Sequence, residues 1–292
     1  MEESLHGIFP IVYTPFDAAG AIDEEDVCRL VDYLIAAGTH GLAAVGGASE
    51  CHKLSLAERQ RLAEVVIAQA HGRVPVIVGT SATNTVDAVE LTRHAEEAGA
   101  AAVFATPPLY GGAVNLEALR YHYGALARAV SLPIMAQDAT VTIAPAQVAR
   151  LADEFPTLSY VKEEALDSGH RIVELRALLG DRIRILSGGS YLLDDLARGA
   201  IGAIPGSVGV ADLARAYDLY RQGDLRAARA AYDHFLPLSY WRRQFPLLGA
   251  KEVLRRVGVF KAAHLREPAG QRLDEHDHRE LSALLEAMGP PY

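Results

Sequence analysis

The stretch Leu158-Ser159-Tyr160-Val161-Lys162-Glu163-Glu164, followed by a helical pattern from Ser168 to Leu179, decides the fold. A short apolar run bounded by polar residues reads as a buried strand. The apolar spacing after it reads as a helix, so the segment is one β-α unit. The same unit recurs on both sides. Upstream stand Pro133 to Ala136 with a helix from Pro145 to Glu154, and Ala101 to Ala105 with a helix from Leu116 to Val130. Before these come Val74 to Gly79 with a helix from Asn84 to Ala98, and Gly41 to Val45 with a helix opening at Ser55. Ile8 to Tyr13 begins the series, with a helix from Asp23 to Ala37. Downstream stand Arg184 to Leu186 with Tyr191 to Arg198, and Ile201 to Ile204 with Ala211 to Tyr220. Ser55 with Glu58 three residues on is a capping box. Asp23 is a natural N-cap, and Gly38 stands just past that helix's end.

Eight such units predict an α/β fold, a (β/α)8 TIM barrel. A doubly wound open sheet is the alternative, weakened because no Gly-x-Gly-x-x-Gly follows the first strand. Residues 1–222 form the barrel in this reading. Residues 223–292 read as a C-terminal helical appendage (Leu225 to Trp241, Leu247 to Val257 and Asp274 to Met288) packed on the barrel as one structural unit.

Composition narrows the function classes. The 292 residues are 50% hydrophobic, and 28 Lys plus Arg against 37 Asp plus Glu leave a net charge of −9. A nucleic-acid binder should carry a basic patch, and none is visible, so no nucleic-acid partner is expected. The start Met1-Glu2-Glu3-Ser4-Leu5-His6 is acidic and lacks the apolar core of a secretory signal. No apolar run approaches the length of a spanning helix, so no membrane partner is expected. Two cysteines, Cys28 and Cys51, match no zinc pattern and build no disulfide framework, which points to the reducing cytoplasm. Asp274-Glu275-His276-Asp277-His278 looks like a metal cluster, but His276 and His278 are two apart and face differently on a helix. No metal is expected.

A barrel of this kind carries its active site at the C-terminal ends of the strands. Those ends supply Tyr13-Thr14-Pro15, Gly46-Gly47-Ala48-Ser49-Glu50, Thr80-Ser81, Thr106-Pro107-Pro108-Leu109-Tyr110, Gln137-Asp138, Lys162-Glu163-Glu164, Ser187-Gly188-Gly189 and Pro205-Gly206-Ser207. Lys162 is the most informative. A lysine on an apolar strand either reaches water by its stem or serves as a Schiff-base nucleophile. Desolvation in a barrel disfavours the charged amine, and a neutral amine attacks a carbonyl. Strand alternation sends Glu163 outward and Glu164 inward. The small residues Gly47, Ala48 and Ser49 allow backbone N–H groups to converge on a carboxylate. Gly188-Gly189-Ser190 and Gly206-Ser207 leave open a barrel enzyme for a phosphorylated substrate.

At these residues the sequence resembles the dihydrodipicolinate synthase / N-acetylneuraminate lyase family. The likeness runs through Gly7 to Phe16, Gly46 to Glu50 with Leu54-Ser55 and Glu58-Arg59, Val78-Gly79-Thr80 with Asn84 and Thr85, Val161-Lys162-Glu163, and Leu186-Ser187-Gly188. The resemblance implies a class I aldolase-type barrel in which Lys162 forms a Schiff base with a 2-keto acid and no cofactor is needed. It also implies a homotetramer built as a dimer of dimers. Synthases of the family move protons through one threonine and two tyrosines. Gly47 stands at the threonine, Leu109 at one tyrosine and Gln137 at the other. Thr142 stands near the arginine that holds the second substrate in synthases. A general acid–base group is worth about 10²- to 10⁴-fold in rate, so losing the set disables the standard reaction.

The expected catalytic residues are therefore Lys162, Gln137, Asp138, Tyr110 and Glu164, with Asp138 and Glu164 facing the lumen. The expected substrate-binding residues are Gly47, Ala48, Ser49, Thr80, Gly188 and Gly206. Gln137-Asp138 resembles divergent members acting on 2-keto-3-deoxy sugar acids, some by dehydration. The reading is a lyase performing aldol cleavage, condensation or dehydration on a pyruvate-derived or 2-keto-3-deoxy acid. A 4-hydroxy-tetrahydrodipicolinate synthase and a non-catalytic 2-keto acid-binding descendant are the alternatives.

Overall fold

The computed structural model describes residues 5–108, 115–139 and 141–289. Among them the chain forms eight strands: β1 (Gly7–Ile8), β2 (Leu42–Ala44), β3 (Val76–Gly79), β4 (Ala102–Ala105), β5 (Ile134–Asp138), β6 (Leu158–Glu163), β7 (Arg184–Ser187) and β8 (Gly202–Ala203). Helices α1 (Glu24–Ala36), α2 (Leu56–Ala70), α3 (Thr85–Glu97), α4 (Leu116–Ala129), α5 (Pro145–Glu154), α6 (Ser168–Leu179), α7 (Leu192–Ala197) and α8 (Val210–Arg221) follow the strands in turn. α9 (Leu225–Arg242), α10 (Leu248–Arg256) and α11 (Glu275–Met288) complete the chain.

The strands pair in parallel in the order β1-β8-β7-β6-β5-β4-β3-β2. Ile11 closes the ring, bridging Ala43 on one side and Gly206 on the other. The expected first strand, Ile8 to Tyr13, is thus broken into β1 and the bridge at Ile11. Pro10 has no N–H to give to the ladder, which is the physical reason for the break.

Period-two alternation divides each strand between two cores. Ile77, Phe104, Met135, Tyr160, Leu186 and Ile204 fill the lumen. Their neighbours Val78, Val103, Ala136, Val161 and Ile185 pack outward with the helices. The helix starts follow their caps. Asp23 accepts from the Asp26 N–H, Asn84 from Asp87 and Asn115 from Ala118, and Ser55 and Glu58 form the capping box. The appendage shares the barrel's outer core. Tyr232 and Phe235 of α9 are buried with Leu213 and Tyr217 of α8. Leu238, Trp241, Val253 and Leu254 join the cluster that holds α1 and α2.

Candidate functional site

Strand β6 places Tyr160 and Lys162 on the lumen face, and Lys162 is only 1% exposed. A buried ammonium needs a partner. Glu164 provides it, with Oε2 2.9 Å from Lys162 Nζ. Register pairs Gln137 of β5 with Lys162, so the two side chains stand side by side. Gln137 Nε2 donates to the same Glu164 oxygen at 2.8 Å. Phe104 closes the site from within the lumen, its ring centroid 5.6 Å from Nζ. Glu164 N donates to Asp138 O at 2.9 Å, which carries the β5–β6 ladder one residue further and fixes the carboxylate. Gly188, the residue after β7, leaves room: a Cβ there would stand 3.3 Å from Glu164 Cγ. Lys162, Gln137 and Glu164 are therefore brought together, and Glu164 faces inward as alternation requires.

Asp138 is a correction. It was expected in the lumen, but register pairs it with Glu163, on the opposite face from Lys162 and Gln137. Both carboxylates point out of the barrel onto one cation of α6. Arg171 pairs with Asp138 through Nη2 and with Glu163 through Nε at 3.1 Å. Arg171 also donates to Ile143 O at 2.6 Å, tying down the segment after β5. One arginine cannot satisfy two buried acids. Asp138 Oδ1 and Glu163 Oε2 have no hydrogen-bond partner among the described residues. Burial, the largest cause, raises Asp138 to about 6 and Glu163 to about 7. Asp138 thus braces the strand ends behind the site.

The turn Gly46–Glu50 is more constrained than a simple cradle. Val45 enters it at φ 60° and Glu50 leaves it at φ 54°, left-handed conformations that a side chain adopts only when held. Ser49 is a second correction. Its hydroxyl donates to Val12 O at 2.6 Å and accepts from Gly46 N at 3.1 Å, and its own N–H goes to Gly46 O. It holds the turn and is not free for a ligand. The N–H groups of Gly47 and Ala48 open the short 3-10 turn, where the first donors lack intrahelical acceptors. Gly47 faces open space. Glu50, fully buried, pairs with Lys251 of α10 at 2.6 Å and with Lys53 at 2.9 Å. Lys251, itself buried, is lowered to about 8 chiefly by desolvation. Thr80 is a third correction: it follows Gly79 on the outward parity, where the Thr92 hydroxyl of α3 donates to its Oγ1 at 3.0 Å.

Across the mouth, Gly206 follows Ile204 on the lumen face of the β8 end. A Cβ there would meet Tyr13 Oη at 2.6 Å and Arg242 Nη1 at 3.5 Å. Arg242 comes from the C-terminal end of α9 and donates to Tyr13 Oη at 3.3 Å. Nothing local reveals that residue 242 reaches residue 13. Thr106, two residues beyond Phe104 on the lumen parity, has a buried hydroxyl with no partner among the described residues. Tyr110, with Leu109, lies outside the described residues. Asp274 caps α11 by accepting from His276 N and Asp277 N, so that cluster is a helix start. Among the described residues no group of three or more His, Cys, Asp and Glu side chains is placed to hold a metal ion. Among them, too, no helix is long and apolar enough to cross a membrane.

The model of the dihydrodipicolinate synthetase family matches residues 4–288. The chain belongs to that family. It is an enzyme of the family's lyase type. A 4-hydroxy-tetrahydrodipicolinate synthase of Syntrophobacter fumaroxidans is 35% identical over 242 residues, covering 80% of this chain and 81% of the relative. An L-2-keto-3-deoxyarabonate dehydratase of Azospirillum brasilense is 34% identical over 294 residues, covering 97% and 94%. Among solved structures, YagE of Escherichia coli K12, a prophage protein of the dihydrodipicolinic acid synthase family in complex with pyruvate, superposes with a TM-score of 0.90. It is 28% identical, covering 97% of this chain and 98% of its own.

Proposed function

We propose that this family member is a Schiff-base dehydratase of a 2-keto-3-deoxy sugar acid, with Lys162 as nucleophile and no other cofactor. The observation that carries the reading is the pairing of buried Lys162 Nζ with the partly exposed Glu164 Oε2, 2.9 Å apart on the lumen face. The pair puts a proton acceptor beside the amine as it adds to the C2 carbonyl. Collapse of the carbinolamine expels water and leaves an iminium. The iminium is an electron sink, so loss of a C3 proton to Glu164 gives an enamine. The enamine expels the C4 hydroxyl, which takes up a proton and leaves as water. Hydrolysis then frees Lys162 and the dehydrated 2-keto acid. Gln137 orients Glu164 through its 2.8 Å hydrogen bond. The free N–H groups of Gly47 and Ala48 hold the C1 carboxylate.

Three features support dehydration over synthesis. Gly47, Leu109 and Gln137 replace the threonine and two tyrosines of the synthase relay, and Thr142 stands near its substrate-binding arginine. A carboxylate, Glu164, stands where protons must move. The dehydratase relative aligns over nearly its whole length. The synthase reading is favoured by the 35% identical relative and requires another proton relay. Incubation with L-2-keto-3-deoxyarabonate and its stereoisomers, followed by NMR, tests the choice. A dehydrated 2-keto acid semialdehyde supports this reading. Pyruvate release would make the enzyme an aldolase, and condensation of pyruvate with aspartate semialdehyde would make it a synthase.

We further propose a cytoplasmic homotetramer arranged as a dimer of dimers, as the family resemblance implies. Light scattering of the purified protein tests it, with a monomer mass counting against it.

A further inference from the structure

Arg242 is a cation without a counter-ion. Its two protein contacts are neutral and long: Tyr13 Oη at 3.3 Å and Pro246 O at 3.5 Å, both from Nη1. Its Nε is buried with no partner, and among the described residues no carboxylate lies within salt-bridge distance of it. A guanidinium carries five donors in a planar fork suited to a carboxylate or phosphate. The ends of β7 and β8 present Gly188 and Gly206 to the lumen. A Cβ at Gly188 would touch Glu164, and one at Gly206 would touch Tyr13 and Arg242. Gly188 thus lets Glu164, and Gly206 lets Tyr13 and Arg242, pack directly on the backbone at the strand ends. Lys162 and Arg242 both stand at the C-terminal ends of the strands, one paired with Glu164 and the other without a counter-ion.

We infer that Arg242 binds a second anionic group at the far end of the substrate, so the preferred substrate is a 2-keto acid with a terminal carboxylate or phosphate. This rests on the Schiff-base reading of Lys162 and names the substrate class for it. The dianion neutralises Arg242, and a neutral hydroxyl end leaves the cation uncompensated. Charge-assisted hydrogen bonds are about twice as strong as neutral ones. The preference should therefore reach about 10- to 100-fold.

The test is borohydride trapping at Lys162, which needs no turnover. Half-saturating concentrations are compared for 2-oxoglutarate against 2-oxopentanoate and for 2-oxoadipate against 2-oxohexanoate, pairs matched in length. A third comparison sets 2-keto-3-deoxy-6-phosphogluconate against its unphosphorylated parent, which separates carboxylate from phosphate. The wild-type protein should saturate at least 10-fold lower with an anionic end in one of these comparisons. Arg242→Met should erase that ratio, and Arg242→Lys should keep part of it. A merely structural arginine would shift both members of each pair equally. Equal saturation in the wild type, or a preference that survives Arg242→Met, overturns the inference. Failure of pyruvate itself to trap at wild-type Lys162 overturns the Schiff-base reading instead.

Discussion

Glu164 Oε2 sits 2.9 Å from Lys162 Nζ although the two residues are separated by only one position along the chain. Glu163, between them, points the other way and binds Arg171. Alternation therefore sorts three consecutive ionisable residues into a lumen pair and an outer brace. Removing the lumen carboxylate tests its role. Glu164→Gln should lower kcat by about 10²- to 10⁴-fold, the usual worth of a general acid–base group. Trapping of pyruvate should slow but persist, because the nucleophile remains. A kcat within threefold of wild type would show that Glu164 moves no proton.

In the proposed mechanism Gln137 acts through Glu164. Gln137→Leu removes the 2.8 Å hydrogen bond while keeping the volume. The carboxylate loses a neutral donor worth about 1 kcal/mol, so kcat should fall roughly 5- to 10-fold. Gln137→Asn, with a shorter reach, should not rescue it. A loss confined to KM would place Gln137 on the substrate rather than on Glu164.

The Asp138–Arg171–Glu163 brace predicts a pH dependence of stability. Burial raises both acids, to about 6 and about 7, above their ordinary carboxylate range. The native state then holds protons that the unfolded chain has released. Stability should fall as pH rises from about 4 through about 7, and the cost is fully present above that. Glu163→Gln keeps a hydrogen-bonding group without the charge and should flatten this slope. Urea midpoints at pH 5 and pH 8 measure it. The wild-type protein should be less stable at pH 8 than at pH 5, and a Glu163→Gln profile identical to wild type would contradict the assignment.

The buried Glu50–Lys251 pair joins the site turn to the appendage. Lys251→Met leaves a fully buried carboxylate with Lys53 alone. Breaking one side of such a pair typically costs about 3–5 kcal/mol. Glu50→Gln with Lys251→Met should cost less than Lys251→Met by itself, since no charge is stranded. Urea denaturation of both variants reads the difference, and a double variant that is weaker by the full sum would sink the pairing argument.

The fold was legible because eight alternations of apolar run and helical pattern repeat along the chain, each with caps such as Asp23 and Ser55. Lys162 and the opposite facing of Glu163 and Glu164 were legible for the same reason, since alternation along a strand is local. Asp138 was misread because its facing depends on register with β6, which one strand does not reveal. Ser49 and Thr80 were misread because a hydroxyl's partner is chosen in three dimensions. Arg242 was out of reach for a stronger reason. Its contact with Tyr13 spans the whole barrel in sequence and exists only because the C-terminal end of α9 comes back beside the first strand's end.

The chain has four lysines, and each has a distinct setting. Lys53 and Lys251 are held by Glu50, Lys261 is at the surface with Asp23 and Glu25, and Lys162 alone faces the lumen. Borohydride reduction in the presence of pyruvate, followed by peptide mass mapping, distinguishes them directly. One reduced pyruvate adduct per chain is expected, on Lys162, and none in Lys162→Ala. No adduct, or an adduct on Lys251 or another lysine that persists in Lys162→Ala, would contradict it.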